Sequence, residues 1–294
     1  MRLSLVQNIE ENLFIYRDDL YPFLGGGNKA RKMIALKSTL IAGNYNAIVT
    51  TGGIQSNHCR ATALFCQKNN LDCTLVIHGE KKEFHEQMGN AKIIRDTNAT
   101  LIFCTPENIS EIMDSSMLEY TKNGFRPFYL YGGGHTLEGG KTYIDEIEKM
   151  VETGFVPEQI YIASGTGSTQ AGVLAGVSKM RLETKVIGIS VGRPKGRAEN
   201  AVKEFYEKLC ETYNITDTGH QIIVDDRFLC GGYQNYNSDI SEIVKSSLFK
   251  YNVLLDTTYT GKAFYGMLQL LKEKPCNGNV LFWNTGGTYN YFSK

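Results

Sequence analysis

The chain has 294 residues, 42% of them hydrophobic and 21% charged, the make-up of a globular, enzyme-sized protein of about two domains, which excludes disorder as its main state. Lys plus Arg and Asp plus Glu each total 31 for a formal net charge of zero, which argues against a strongly basic surface for nucleic acid or membrane. No stretch approaches the roughly 18 uninterrupted apolar residues of a membrane helix, and Gln, Asn and Glu interrupt the N-terminal MRLSLVQNIEENLF, so neither signal peptide nor anchor is expected. The 7 cysteines are scattered and never in C-x-x-C, as for reduced thiols of a cytoplasmic protein. Cys59 beside His58 lacks the spacing of metal ligands and reads as a core residue, so no metal is expected.

In chain order, Ala30, Met33, Ile34, Leu40 and Ile41 share one face at helical spacing, and Gly43 stands where that helix would stop. Strands are predicted at Ala47–Thr51, Cys73–Ile77, Thr100–Cys104, Pro127–Tyr131, Gln159–Ala163, Lys185–Val191, Gln221–Val224, Asn252–Leu255 and Asn279–Trp283. Helical patterns fall between them at Ile109–Lys122, Gly139–Met150, Ala198–Tyr213, Ser238–Phe249 and Thr260–Glu273. Short apolar runs alternating with helices are the mark of an α/β fold with mostly parallel sheets. No linker interrupts the pattern, so a second domain must be interleaved with the first.

Glycines cluster at Gly25–Gly27, Gly52–Gly53, Gly132–Gly134, Gly165–Gly167 and Gly286–Gly287. Three of these clusters follow a predicted strand and precede a helix, the place where open α/β sheets bind ligands. Ala163-Ser164-Gly165-Thr166-Gly167-Ser168-Thr169-Gln170 combines glycines, hydroxyls and a helix start near Gln170, the ingredients of a phosphate cup. It lacks the third glycine of a dinucleotide loop and the Gly-Lys-Ser/Thr of a Walker loop. Gly25-Gly26-Gly27-Asn28-Lys29 delivers a lysine to the positive end of a helix, where an amine deprotonates more readily and can bond a carbonyl carbon. A solvated lysine at a basic helix start is the plain alternative, and it is the reading for Arg31 and Lys32. The turn Thr51-Gly52-Gly53-Ile54-Gln55-Ser56-Asn57-His58 adds hydroxyl and amide groups, although Ser56 or Asn57 alone is more often a helix cap. Amine, phosphate cup and amide turn together make up a pyridoxal-phosphate site.

The same motifs carry a resemblance. Arg17-Asp18-Asp19-Leu20, Gly-Gly-Gly-Asn-Lys-Ala-Arg-Lys, Gly-Gly-Ile-Gln-Ser-Asn-His, Gly132–Gly140, Gly-Ser-Thr-Gln-Ala-Gly, Asp256-x-x-Tyr259-Thr260-Gly261-Lys262-Ala263 and Thr285-Gly286-Gly287 resemble, in order, the D-cysteine desulfhydrase and 1-aminocyclopropane-1-carboxylate deaminase family. The resemblance implies pyridoxal 5'-phosphate as cofactor in the cleft between two domains with open, mostly parallel twisted sheets, the tryptophan-synthase-β fold (fold type II). By it, residues 36–150 form a small domain inserted between 1–35 and 151–294, and the enzyme is a homodimer acting on a small amino acid. It implies that Lys29 carries the cofactor covalently and serves as base, that Asn57 bonds the ring oxygen, and that Gly165, Thr166, Gly167, Ser168 and Thr169 hold the phosphate. Ser56, Asn57 and His58 would receive the substrate carboxylate, with Ser56 near the α-carbon as alternative base. Tyr233 and Tyr259 would flank ring and substrate, and Thr260 or Thr285 would lie near the pyridine nitrogen.

Family deaminases typically carry Glu at the Thr260 position and Leu at the Thr285 position, whereas desulfhydrase-like members carry Ser or Thr. Two threonines and His58 therefore imply β-elimination from D-cysteine, giving pyruvate, ammonia and hydrogen sulfide. Ring opening to 2-oxobutanoate is the alternative, as is a specialised β-elimination or β-replacement in a biosynthetic pathway. Thr257-Thr258 and Trp283-Asn284 depart from the family pattern, where they are expected to border the substrate pocket, and the segment before Arg17 is shorter than the family's usual one, omitting much of its opening strand.

Overall fold

The computed structural model describes residues 5–293. In chain order the elements are β1 (Val6–Glu10), β2 (Leu13–Arg17), α1 (Gly27–Ala42), β3 (Ala47–Gly53), α2 (Asn57–Lys68), β4 (Asp72–His78), α3 (Lys81–Glu86), α4 (Gly89–Arg95), β5 (Thr100–Cys104), α5 (Ile109–Lys122), β6 (Pro127–Leu130) and α6 (Leu137–Glu152). There follow β7 (Gln159–Ser164), α7 (Ser168–Lys179), β8 (Lys185–Ser190), α8 (Lys195–Thr212), β9 (Ile223–Asp225), α9 (Ser238–Tyr251), α10 (Thr260–Glu273), β10 (Val280–Asn284) and α11 (Thr288–Tyr291). They fall into two compact units: a smaller one of Pro22–Glu138 with the residues from Tyr289 on, and a larger one of the residues up to Tyr21 with Gly139–Thr288.

The smaller unit is built on a four-stranded sheet, β5-β4-β3-β6, parallel throughout. Successive side chains of a strand point to opposite faces, and here both faces are covered. Ile48, Leu75 and Ile77 pack with Met33, Leu36 and Leu40 of α1 and Phe65 of α2, while their neighbours Val49 and Val76 pack with Met113 of α5. That double burial is why β3 and β4 read as continuous apolar runs without alternation.

The larger unit carries a six-stranded sheet in the order β1-β2-β10-β7-β8-β9, parallel except for the β1–β2 hairpin. Ile15, Phe282, Tyr161 and Ile189 share a core with Phe264 and Met267 of α10. The chain enters this sheet through the hairpin: β2 pairs with β10 over five residues, and β1 adds an edge. Asn12 turns the chain at φ 58°, and the edge strand VQNIE is only partly covered, so it carries little apolar signal.

The strand expected at Asn252–Leu255 is not formed. Asn252 closes α9 in the left-handed conformation, so only Val253 and Leu255 remain to be buried, as irregular chain, before the turn at Asp256. Trp283, expected beside a pocket, is instead wholly buried in the core of this unit. It stacks on Tyr16 at 4.1 Å, meets Tyr143 edge-on and directs its indole N–H at Asp18, 3.4 Å away. Asp18 also accepts from Tyr143, so the Arg-Asp-Asp-Leu motif is an anchor for this strand layer.

Candidate active site

In the smaller unit, Gly25, Gly26 and Gly27 have φ of 78°, 75° and 82°, a region that glycine alone enters freely. The turn sets Lys29 in the first turn of α1, where its Nζ donates to the carbonyl of Gly133 at 2.8 Å. Burial lowers the pKa of the amine from 10.5 to about 8, so about a tenth of it is neutral at pH 7, far more than for an ordinary lysine, and able to attack a carbonyl carbon. Arg31 and Lys32, expected in solvent, are 5% and 2% exposed. The Gly132–Gly134 turn lies over this start of α1: a Cβ on Gly134 would come within 3.8 Å of Lys32 Cβ.

Ser56 caps α2, its Oγ accepting from Cys59 N at 3.1 Å. The first amides of α2, with no partner in their own helix, can receive an anion such as a carboxylate. The His58 imidazole turns away from solvent (3% exposed). Thr50 Oγ1 donates to Leu130 O at 2.7 Å, so at 2.8 Å from His58 Nε2 it can only accept. This fixes the tautomer with its proton on Nε2 and leaves Nδ1 as a buried acceptor with no partner among the described residues. Burial, then the charges of Lys29 and Lys32, hold the ring well below its ordinary pKa, so it stays neutral. Cys59 is inert, its thiol pushed up to about 12 by burial.

Asn57 belongs to an amide network that sequence reasoning missed. Its Nδ2 donates to Asn290 Oδ1 at 2.6 Å, and its Oδ1 accepts from Asn90 Nδ2 at 2.9 Å. Asn90 also donates to Asn290 Oδ1, and Asn290 donates to Gln55 O. The preceding Tyr289 lies against the lysine turn, 2.8 Å from where a Cβ on Gly25 would sit. Arg60 donates to the carbonyls of Gly25 and Gly26 and places its guanidinium 4.8 Å from the Tyr289 ring. No local spacing in the sequence links 289–290 to 25–57; only the fold brings them together.

In the larger unit, β7 runs into α7 through Gly165, Thr166 and Gly167. Gly167 sits at φ 86°, and a Cβ there would lie 3.0 Å from Val202 Cγ2 and 3.2 Å from Val202 N, so only glycine fits the approach of α8. Ser168 and Thr169 are buried in the first turn of α7, and Thr166 Oγ1 meets Ser168 Oγ at 3.3 Å. Ser164 Oγ is buried with no partner among the described residues. Arg193, also missed from the sequence, donates to Thr166 O at 3.4 Å and puts a positive charge on this loop; a basic residue just after β8 was the available signal.

Tyr233 and Tyr259 come together, hydroxyl to hydroxyl, with rings edge-to-face at 5.8 Å and 70°. Thr260 and Thr285 part company in their bonding. The Thr260 hydroxyl donates to Asp256 Oδ2 at 2.8 Å and accepts from Asp256 N at 2.9 Å, which commits it. Asp256 is buried, and its Oδ1 accepts from Thr258 N and Tyr259 N, so this carboxylate shapes the turn that presents Tyr259. Desolvation raises its pKa against the pull of these bonds. Gly287 packs on the same carboxylate: its Cβ would fall 2.2 Å from Asp256 Oδ2. Among the described residues the Thr285 hydroxyl has no hydrogen-bond partner, which leaves it free to serve a ligand.

Within the smaller unit the desolvated amine of Lys29 suits an aldehyde, and within the larger unit the buried hydroxyl of Ser164 and a glycine-hydroxyl loop ending at a helix start suit a phosphate. Fold and donor set thus define a cofactor-dependent α/β enzyme. The chain belongs to the family of pyridoxal-phosphate-dependent enzymes, whose model matches residues 2–286. It is 28% identical to a D-cysteine desulfhydrase of Klebsiella pneumoniae over 298 residues, covering 98% of this chain and 90% of that one. An ACC deaminase homologue superposes with a TM-score of 0.86 at 25% identity, over 95% of this chain and 86% of that one. A hydrogen sulfide-producing enzyme from Fusobacterium nucleatum shares the fold at a TM-score of 0.69 and 14% identity, over 98% and 95%. The family resemblance and the cofactor read from the motifs are thereby borne out. Among the described residues no helix is long and apolar enough to cross a membrane.

Proposed function

We propose that this enzyme is a lyase that eliminates the β-substituent of a small D-amino acid, with D-cysteine the first candidate: D-cysteine and water give pyruvate, ammonia and hydrogen sulfide. The observation that carries the reading is Lys29, a lysine whose amine burial brings to about pKa 8 and which holds one backbone carbonyl. Pyridoxal phosphate, when bound, supplies an aldehyde for covalent capture of amino groups and an electron sink for the α-carbon.

In this reading Lys29 would hold the cofactor, and its amine would take the proton from the substrate α-carbon, with Ser56 the alternative base. Gly133 O steadies the freed amine. Gly165, Thr166, Gly167, Ser168 and Thr169 receive the phosphate, and Arg193 offsets its charge. Asn57 donates to the ring oxygen. The carboxylate of the substrate binds Ser56 Oγ and the amides of Asn57 and His58. Tyr233 and Tyr259 would flank ring and substrate.

Thr285, with its uncommitted hydroxyl, stands by the pyridine nitrogen, while Thr260 acts through Asp256. A hydroxyl keeps that nitrogen protonated less firmly than a carboxylate would, which suits a substrate whose thiolate leaves readily. A homodimer in the cytoplasm completes the proposal. The test is product analysis with D-cysteine, L-cysteine and 1-aminocyclopropane-1-carboxylate. Pyruvate and sulfide from D-cysteine alone support the reading; 2-oxobutanoate from the cyclopropane substrate would replace it.

A further inference from the structure

The fold buries another lysine that the reaction does not use. Lys262, in the first turn of α10, is 0% exposed. Its Nζ donates to the carbonyls of Leu229 and Gly232, each at 2.8 Å, and lies 3.5 Å from that of Val191. Three carbonyls match the three N–H bonds of an ammonium, whereas a neutral amine has only two to give.

The segment these carbonyls belong to has an unusual backbone. Cys230, Gly231, Gly232 and Gln234 take φ of 53°, 87°, 138° and 68°. Two of the four are not glycine, and such conformations persist only where the surroundings impose them. Their local bonds are Gly232 N to Leu229 O at 3.0 Å, Asn235 N to Gly232 O at 3.3 Å and a weak Cys230 thiol contact to Phe228 O at 3.5 Å. Tyr233 stands in the middle of this run, 42% exposed. Its Cβ lies 3.2 Å from where a Cβ on Gly192 would be, and its hydroxyl meets that of Tyr259. Packing on so exposed a ring does not by itself fix its direction; the backbone beneath it does.

We propose that Lys262 is a positioning residue, an internal cation whose ammonium gathers the Leu229 and Gly232 carbonyls and thereby aims Tyr233 at Tyr259. The importance of this to turnover rests on the reading of Tyr233 as a substrate-flanking residue; the hold on the segment does not. Lys262→Met keeps the length of the side chain and removes the charge and all three donors. The experiment is hydrogen exchange on peptides spanning 226–236 in the cofactor-loaded enzyme, beside a titration of the cofactor absorbance with D-cysteine and steady-state kinetics.

The expected result is faster exchange confined to that segment and a fall in kcat/KM of about tenfold to a hundredfold, the scale set by ångström misplacements near a reacting centre, with cofactor affinity unchanged. Unchanged exchange overturns the proposal, and so does faster exchange with unaltered kcat/KM. A wild-type spectrum that ignores D-cysteine refutes the proposed reaction instead, and hydrogen exchange alone then decides. Should Lys262→Met not fold, Lys262→Ala is compared in potassium and tetramethylammonium chloride. Protection restored by potassium, a bare cation that carbonyls can surround, supports the internal-cation role; equal exchange in the two salts overturns it.

Discussion

Asn290→Ala isolates the contribution of the chain's last residues to the candidate site. Asn290 Oδ1 accepts from Asn57 Nδ2 and Asn90 Nδ2 at 2.6 and 3.0 Å, and its Nδ2 donates to Gln55 O at 3.1 Å. After truncation Asn90 keeps Asn57 Oδ1 and Gln55 O, and Gln55 O keeps Asn90. The group left without its acceptor is Asn57 Nδ2, on a residue 8% exposed. One orphaned buried donor costs about 1–3 kcal/mol. About 2 kcal/mol corresponds to a fall in Tm of about 3 °C for a chain of 294 residues, at about 2.1 cal/mol/K of unfolding entropy per residue. Because the orphaned amide is the one assigned to the cofactor ring, its wandering is expected to raise the dissociation constant of pyridoxal phosphate by about tenfold, or about 1.4 kcal/mol. Differential scanning fluorimetry and titration of apoprotein followed by cofactor absorbance measure the two effects. A Tm and a dissociation constant both equal to those of wild type would refute the argument that Asn290 holds Asn57.

Three further outcomes follow from the geometry. Gly167→Ala forces a left-handed alanine, costing about 1–2 kcal/mol, and drives its Cβ onto the Val202 backbone; cofactor affinity should fall about tenfold, and an unchanged affinity would move the phosphate elsewhere. Thr260→Val should lower Tm, since a hydroxyl bonded to a buried carboxylate is worth about 1.5–3 kcal/mol, whereas Thr285→Val should leave Tm nearly unchanged and alter the cofactor spectrum and kcat; the opposite pattern would exchange their roles. His58, held below the ordinary value of 6.5 mainly by burial, refuses a proton that the unfolded chain accepts. Stability therefore falls as pH drops through about 6.5. His78 shifts the same way, so the check is a shallower acid limb in His58→Gln than in wild type, and identical limbs would contradict it.

Much of the scaffold was legible because burial on both faces writes itself into composition. Ile48 and Val49 lie on opposite sides of one sheet, and both must be apolar. The Gly165–Thr169 loop was legible for a similar reason, since a close backbone approach needs glycine and an anion needs donors. The β1 edge escaped because a half-covered strand needs no apolar run. Arg31 and Lys32 were misjudged because charge says nothing about which turn folds over a helix start. Asn290, Arg60 and Lys262 act through bonds to residues that are distant in sequence, and no local spacing encodes those partners.

The central claim is that Lys29 bears the cofactor. Borohydride reduction of the yellow holoenzyme, followed by proteolysis and mass spectrometry, tests it directly, because two other lysines, Lys32 and Lys262, are more deeply buried than Lys29 and compete as candidates. A phosphopyridoxyl mass on the peptide containing Lys29, at that residue, is the expected result; the same mass on Lys32, on Lys262 or on no lysine would contradict the account.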